Sequence, residues 1–336
     1  MRILRVLVAF ALVVAGVVST VGSGGGGNEL SLYGPELGAL QLPPRDIGWV
    51  DITIANAQDV SATVVRAADQ VFDVATAIGG QIFPRPPAAP DLLSSNSKFG
   101  LFATVAMTGD PVTDTCAVSG TVTVSGDPAN DPVALAERDV FDLVFDACDD
   151  GDGYTLDGSF SLSVNRLVGD PRTDVFRLRY FLRDMDLTVA SGVDSYTAEK
   201  QFDIEWDSLA FPVIVLMNKH FLTLSSQADV YSWLRGGQSL TVNADISIPT
   251  TLGEARESLM ESAFLGGRIS YEIIVPLQAP DGRDPVSGEI LVSKGVVNGT
   301  IRIVIESSTI VRLDIDSDGD GIVDNIQFTT WAALLG

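Results

Sequence analysis

From residue 99 onward the chain alternates apolar and polar residues with a period of two. In 153–164, Tyr154, Leu156, Phe160, Leu162 and Val164 interleave with Thr155, Asp157, Ser159, Ser161 and Ser163. Val118, Val122 and Val124 interleave with Ser119, Thr121, Thr123 and Ser125. Phe176, Leu178, Tyr180 and Leu182 oppose Arg177, Arg179 and Arg183, and Phe202, Ile204 and Trp206 oppose Asp203, Glu205 and Asp207. The pattern returns at 238–248, 267–276, 299–306, 309–315 and 325–331. Successive side chains of a strand point to opposite faces, so this spacing predicts about a dozen strands with one buried and one wetted face, as in antiparallel sheet. Gly126-Asp127-Pro128, Asp150-Gly151-Asp152-Gly153 and Asn298-Gly299 supply turn chemistry between them.

One segment has a different period. Val60, Val64, Ala67, Val71, Val74 and Ile78 recur at steps of three and four, which predicts a helix over 54–78. Asp59, Arg66, Asp69 and Asp73 fall on its other faces, and Gly79-Gly80 supplies a stop. The stripe is small and aliphatic, which suits packing on a sheet. Before the helix, Pro35, Pro43 and Pro44 make 28–50 an extended lead-in; after it, 83–92 is a proline-rich connector. Residues 252–264 are ambiguous: Leu252, Ala255, Leu259 and Ala263 fit a short helix, which tertiary context can override into extended structure. The expected fold is mainly β: one large antiparallel sheet, a sandwich or a curved half-barrel, with one packed N-terminal helix. Residues 51–336 form a single domain in this reading.

Composition narrows the function classes. Hydrophobic residues make up 46% of the chain and charged ones 19%, the balance of a globular protein. Arg2 and Arg5 precede an apolar run from Val6 to Val18, followed by small residues to Ser23, so 1–23 reads as a signal peptide. Residues 24–50 then form a glycine-rich tether and lead-in, and no later apolar run is long enough to span a membrane as a helix. The expected location is the periplasm, the cell envelope or the extracellular space. The formal charge is -23, and removing the two leader arginines takes it to -25. Such a chain repels nucleic acid and anionic surfaces and favours cations or plain solubility. Export also makes a disulfide between Cys116 and Cys148, the two cysteines, the expected pairing.

One stretch carries recognisable chemistry. Residues 314–324 read DIDSDGDGIVD, with Asp316, Asp318 and Asp320 at every second position, then Gly321, Ile322 and Asp324. Calcium takes six to eight hard oxygens, and alternating carboxylates on a curled backbone converge on one point. The expected ligands are Asp316, Asp318, Asp320, the Ile322 carbonyl and Asp324, with Asp314 or a distant carboxylate completing the shell. The loop resembles thrombospondin type 3 and dockerin calcium loops, because strand-like sequence flanks it where an EF-hand has helices. Gln327 stands where an EF-hand has its bidentate glutamate, which places affinity near ~0.1–1 mM. The bland reading of the same residues is an acidic hairpin turn.

Other signals are weak. His220, the one histidine, lies in a strand-like run with no G-x-S-x-G elbow, so a packed or surface role is expected. The acidic turn Asp149, Asp150, Asp152 matches no known metal loop. Asn298-Gly299-Thr300 is a glycosylation sequon that matters only in a eukaryotic host. The acids offer too many pairs to single out a glycosidase dyad.

Several blocks together are similar to uncharacterised exported, lipoprotein-like β-rich proteins of Gram-negative bacteria. They are the leader with its glycine tract, TCAVSGTVTVSG, FDLVFDAC with YTLDGSFSLSV, DPVSGEILV, and VRLDIDSDGDGIVDNIQFTTWAAL. The resemblance covers roughly 95–165 and 265–334 and brings almost no function with it; the lipidation cysteine of that group is missing here. The expected function is a non-catalytic cell-envelope or secreted protein, binding or structural, stabilised by calcium. Alternatives are a periplasmic carrier of a lipid or other hydrophobic ligand, a glycan hydrolase and an outer-membrane barrel.

Overall fold

A computed structural model describes residues 48–82, 101–102, 105, 108–127, 136–151, 153–169, 176–191, 194–207, 213–226, 230–242, 250–279, 284–293 and 299–335. The segments expected to be a signal peptide (1–23), a glycine-rich tether and a proline-rich connector (83–92) lie outside these residues.

The protein is mainly β and antiparallel. Fourteen strands form one ladder in chain order. They are β1 (Val112–Thr115), β2 (Ser119–Asp127), β3 (Val140–Asp149), β4 (Thr155–Gly169), β5 (Phe176–Ser191), β6 (Asp194–Asp207) and β7 (Val213–Ser226). There follow β8 (Val230–Val242), β9 (Thr250–Ser262), β10 (Gly267–Ala279), β11 (Ser287–Ser293), β12 (Thr300–Ile305), β13 (Val311–Asp316) and β14 (Asn325–Thr329). Each strand pairs with its neighbours in sequence, and among the described residues no pairing of β1 with β14 closes the ladder into a barrel. Among the described residues, no helix is long and apolar enough to cross a membrane.

The period-two reading lands on the strands it named. Tyr154, Leu156, Phe160, Leu162 and Val164 are all buried, opposite Phe141, Leu143 and Phe145 on the same inner face. The gap in that alternation is Gly158. Its φ is +120°, and a Cβ there would lie 2.1 Å from the Asp186 carbonyl oxygen on β5, so only glycine lets the two backbones approach. Val122 and Val124 are buried, but Val118 is exposed: it sits in the turn between β1 and β2, where alternation does not apply. Residues 252–264 resolve in favour of a strand, since 250–262 form β9. Of the expected strand at 238–248, residues 238–242 are the C-terminal part of β8, which runs from Val230 to Val242, and 243–248 lie outside the described residues. The expected strand at 325–331 ends at Thr329, and Trp331–Leu335 turn into a short helix, α2.

The N-terminal helix, α1, spans Ala57–Ile82 instead of 54–78. Thr53 and Asn56 bond reciprocally across the turn that precedes it. The Asn56 Oδ1 accepts the Thr53 amide at 2.8 Å, and the Asn56 carbonyl accepts the Val60 amide at 2.9 Å. Residues 54–56 are therefore a turn. At the other end Gly79-Gly80 does not stop the helix; an interior glycine costs about 1 kcal/mol of propensity, which tertiary packing can override.

The stripe of α1 also proves too narrow a picture. Val60, Val64, Ala67 and Ile78 are buried as expected, yet Ser61, Thr63 and Asp69 are buried too. Over 60–69 burial therefore extends beyond one apolar stripe, as for a helix segment packed on more than one side. Here one contiguous core joins α1 to the inner residues of β2–β5 and β10–β13. The helix contacts β12, β13 and α2 directly. Ahead of it, Val50 and Gly48 exchange backbone hydrogen bonds with Arg268 of β10, each at 3.0 Å.

Candidate metal centre and the disulfide corner

The aspartate loop is the connection of the β13–β14 hairpin, where both flanking strands end and a tight bend must form. Asp316, the last residue of β13, is buried at 7% exposure and folds its carboxylate back over the bend. Its Oδ1 accepts the Gly319 amide at 2.7 Å and its Oδ2 accepts the Gly321 amide at 2.9 Å. Gly319 and Gly321 take φ of 77° and 86°, in the left-handed region that a residue with a Cβ adopts reluctantly. The two glycines thus turn the backbone so that it encircles the Asp316 carboxylate.

Across the bend, Asp324 closes the loop. Its amide donates to the Ile315 carbonyl at 2.8 Å, and its Oδ2 accepts the Ser317 amide at 2.8 Å and the Ser317 hydroxyl. The result brings Asp316, Asp318 and Asp324 together, with one carboxylate oxygen from each lying within 4.8 Å of the others. Asp320 does not join this group; its Oδ1 accepts the Ile322 amide at 2.7 Å. The Ile322 side chain is exposed. Asp314 is committed elsewhere: Arg312 grips both its oxygens, Nε to Oδ1 at 2.8 Å and Nη2 to Oδ2 at 3.0 Å. Gln327 also faces away, donating from Nε2 to the Ile54 carbonyl at 2.8 Å. It therefore ties the hairpin to the N-terminal end of α1.

Ser317 is the residue that sequence reasoning missed. Nothing in its type or position marked it, because its role depends on a partner seven residues away. Its hydroxyl and then its amide hold the Asp324 carboxyl below the ordinary aspartate range, since both donate to the charged form. A depressed carboxylate stabilises the loop above its unfolded pKa, and that stabilisation disappears as pH falls through the lower folded value. Ser317→Ala is expected to move the Asp324 midpoint upward toward the ordinary range. Side-chain carboxylate NMR in calcium-free buffer measures it, and an unmoved midpoint would refute the assignment.

At the far end of the ladder, Cys116 and Cys148 form the expected disulfide, with Cα atoms 5.4 Å apart. Cys116 follows β1, and Cys148 lies on β3 beside a register slip between Phe145 and Cys148. Two further bonds pin the turn 116–119 to this corner. The Ala117 amide donates to Asp150 Oδ1 at 2.7 Å, and the Val118 amide to the Asp149 carbonyl at 2.8 Å. His220 lies within β7.

The fold and this hairpin define an open antiparallel meander with a packed N-terminal helix and an acidic loop on its last hairpin. No protein-family model matches the chain, and no curated protein or solved structure is significantly similar to it.

Proposed function

We propose that this is a non-catalytic protein of the cell envelope or the secreted space, acting through binding or as structure, whose β13–β14 loop holds a calcium ion in a stabilising role. The observation that carries the reading is the convergence of Asp316, Asp318 and Asp324 at the hairpin bend, with Asp316 fixed by two backbone amides. Three carboxylates within 4.8 Å repel one another, and a hard divalent cation relieves that repulsion. Through Gln327 the loop bonds to the turn that caps α1, so an ion there stiffens the edge of the sheet and the helix entry together. No helix pair flanks the loop to be opened, which favours a structural role over a signalling one.

The carrier reading is less well supported. It needs free volume beneath α1, yet Ala57, Val60, Val64, Ala67 and Ile78 have 0% exposure, which leaves no water-sized void against them.

The test is thermal unfolding with and without calcium. With a Kd of ~0.1–1 mM, about 10 mM calcium adds roughly 1.4–2.7 kcal/mol of stability and raises Tm. Asp318→Ala is expected to abolish the increase while leaving the calcium-free Tm nearly unchanged. A wild-type Tm that stays put in calcium would remove the proposal.

A further inference from the structure

The disulfide corner contains a charge that disulfide formation does not require. A carboxylate oxygen of Asp150 lies within 4.8 Å of both the Cys116 and the Cys148 sulfur. All three residues are buried, with Cys148 at 0% exposure and Cys116 at 7%. With the sulfurs bonded to each other, neither is a thiolate ligand, so the group is not a metal site in this state. What remains is an anion held against a disulfide in a poorly solvated corner.

We infer that Asp150 guards this disulfide electrostatically against reduction by anionic thiols. Reduction starts when an external thiolate attacks one sulfur in line with the S–S bond. Cys116 is the more accessible target. The new bond joins the external sulfur to Cys116, the Cys116–Cys148 bond breaks, and its electron pair leaves on Cys148. A second external thiolate then releases Cys116, so two thiols are oxidised to one external disulfide and the protein gains two thiols. In the first step the charge of the external thiol approaches Cys116. The Asp150 carboxylate opposes that approach in proportion to the thiol's net charge, and low local polarity strengthens the repulsion. Asp150 is thus a positioning residue for the Ala117 turn and a brake on thiol exchange.

The test uses the full oxidised chain and two small thiols of similar size, 2-mercaptoethanesulfonate, whose thiolate is a dianion, and cysteamine, whose thiolate is net neutral. Second-order reduction rates are read by alkylation and mass spectrometry and corrected for thiolate fraction. Asp150→Asn keeps an oxygen to accept the Ala117 amide and removes only the charge. It is expected to speed reduction by the anionic thiol about tenfold and to narrow the gap between the two thiols by a similar factor. Asp110→Asn, an exposed change of the same net charge, is expected to leave the gap unchanged. If Asp150→Asn accelerates both thiols equally, the effect is loosened packing and the inference fails; it fails equally if neither rate changes. A measurement on the wild type alone gives a second arm: the gap must shrink when the chain is unfolded in urea, and a gap that persists there reflects overall charge and overturns the assignment.

Discussion

Phe141→Ala is expected to destabilise the protein by about 3–5 kcal/mol, the range for removing a large aromatic side chain from a packed core. Phe141 has no exposed surface. Its ring meets Phe102 edge-on at 4.9 Å and 77°, so truncation loses an aromatic pair as well as buried area. Across the ladder it lies opposite Leu162 on β4 and Gly126 on β2. A Cβ at Gly126 would sit 2.9 Å from the Phe141 ring, so that ring fills the space the glycine leaves. Little around the site can collapse to refill it. Since domains are stable by only about 5–15 kcal/mol, the variant sits near the edge of unfolding at 37 °C. Urea titration measures the loss, with Phe328→Ala as the comparison. Phe328, 68% exposed on the edge strand, should cost no more than about 0.5 kcal/mol. Equal losses at the two positions would mean that the inner face of β3 is not the core.

Replacing both cysteines with alanine is the second large effect. The bridge joins residues separated by 32 in sequence, and in the chain-entropy model closing such a loop removes about 3–4 kcal/mol of unfolded-state freedom. The double variant should therefore show a lower urea midpoint and a larger m-value, because its unfolded state expands. The hydrogen bonds from Ala117 and Val118 to the Asp149–Asp150 turn remain, so the corner should stay folded and lose stability without losing structure. A midpoint equal to that of the oxidised wild type would show that the covalent link constrains nothing.

How much of this was legible in the sequence depends on how local the cause is. Strand positions were readable because the alternation at 153–164 is imposed residue by residue by the two faces of a sheet. The disulfide was readable from the cysteine count and the leader-like N-terminus, which makes pairing the default expectation. The ends of α1 were not. Its start follows a reciprocal Thr53–Asn56 turn, and it continues through Gly79-Gly80, where local glycine propensity argues for a stop. Burial of Asp69 was equally hidden, because a helical wheel does not report which neighbours pack beside the apolar stripe. In the aspartate loop the carboxylate spacing was plain, but the division of labour was not. Asp314 belongs to Arg312, two residues back on the same face of β13, and Asp324 leans on Ser317, which only the bend of the hairpin brings beside it.

The ladder in which every strand pairs with its sequence neighbours has a consequence for how the chain is assembled. Each hairpin closes a short loop, so the sheet can zip up progressively from any starting point at low entropic cost. Helix α1 works to the opposite rule. It precedes every strand of the ladder in sequence yet contacts β12, β13 and α2 at the ladder's other end, where Trp331 of α2 is anchored to the Pro285 carbonyl at 3.2 Å. Those contacts close far longer loops than any hairpin does, so docking the helix on them is the slow, non-local step that follows the zipping of the strands.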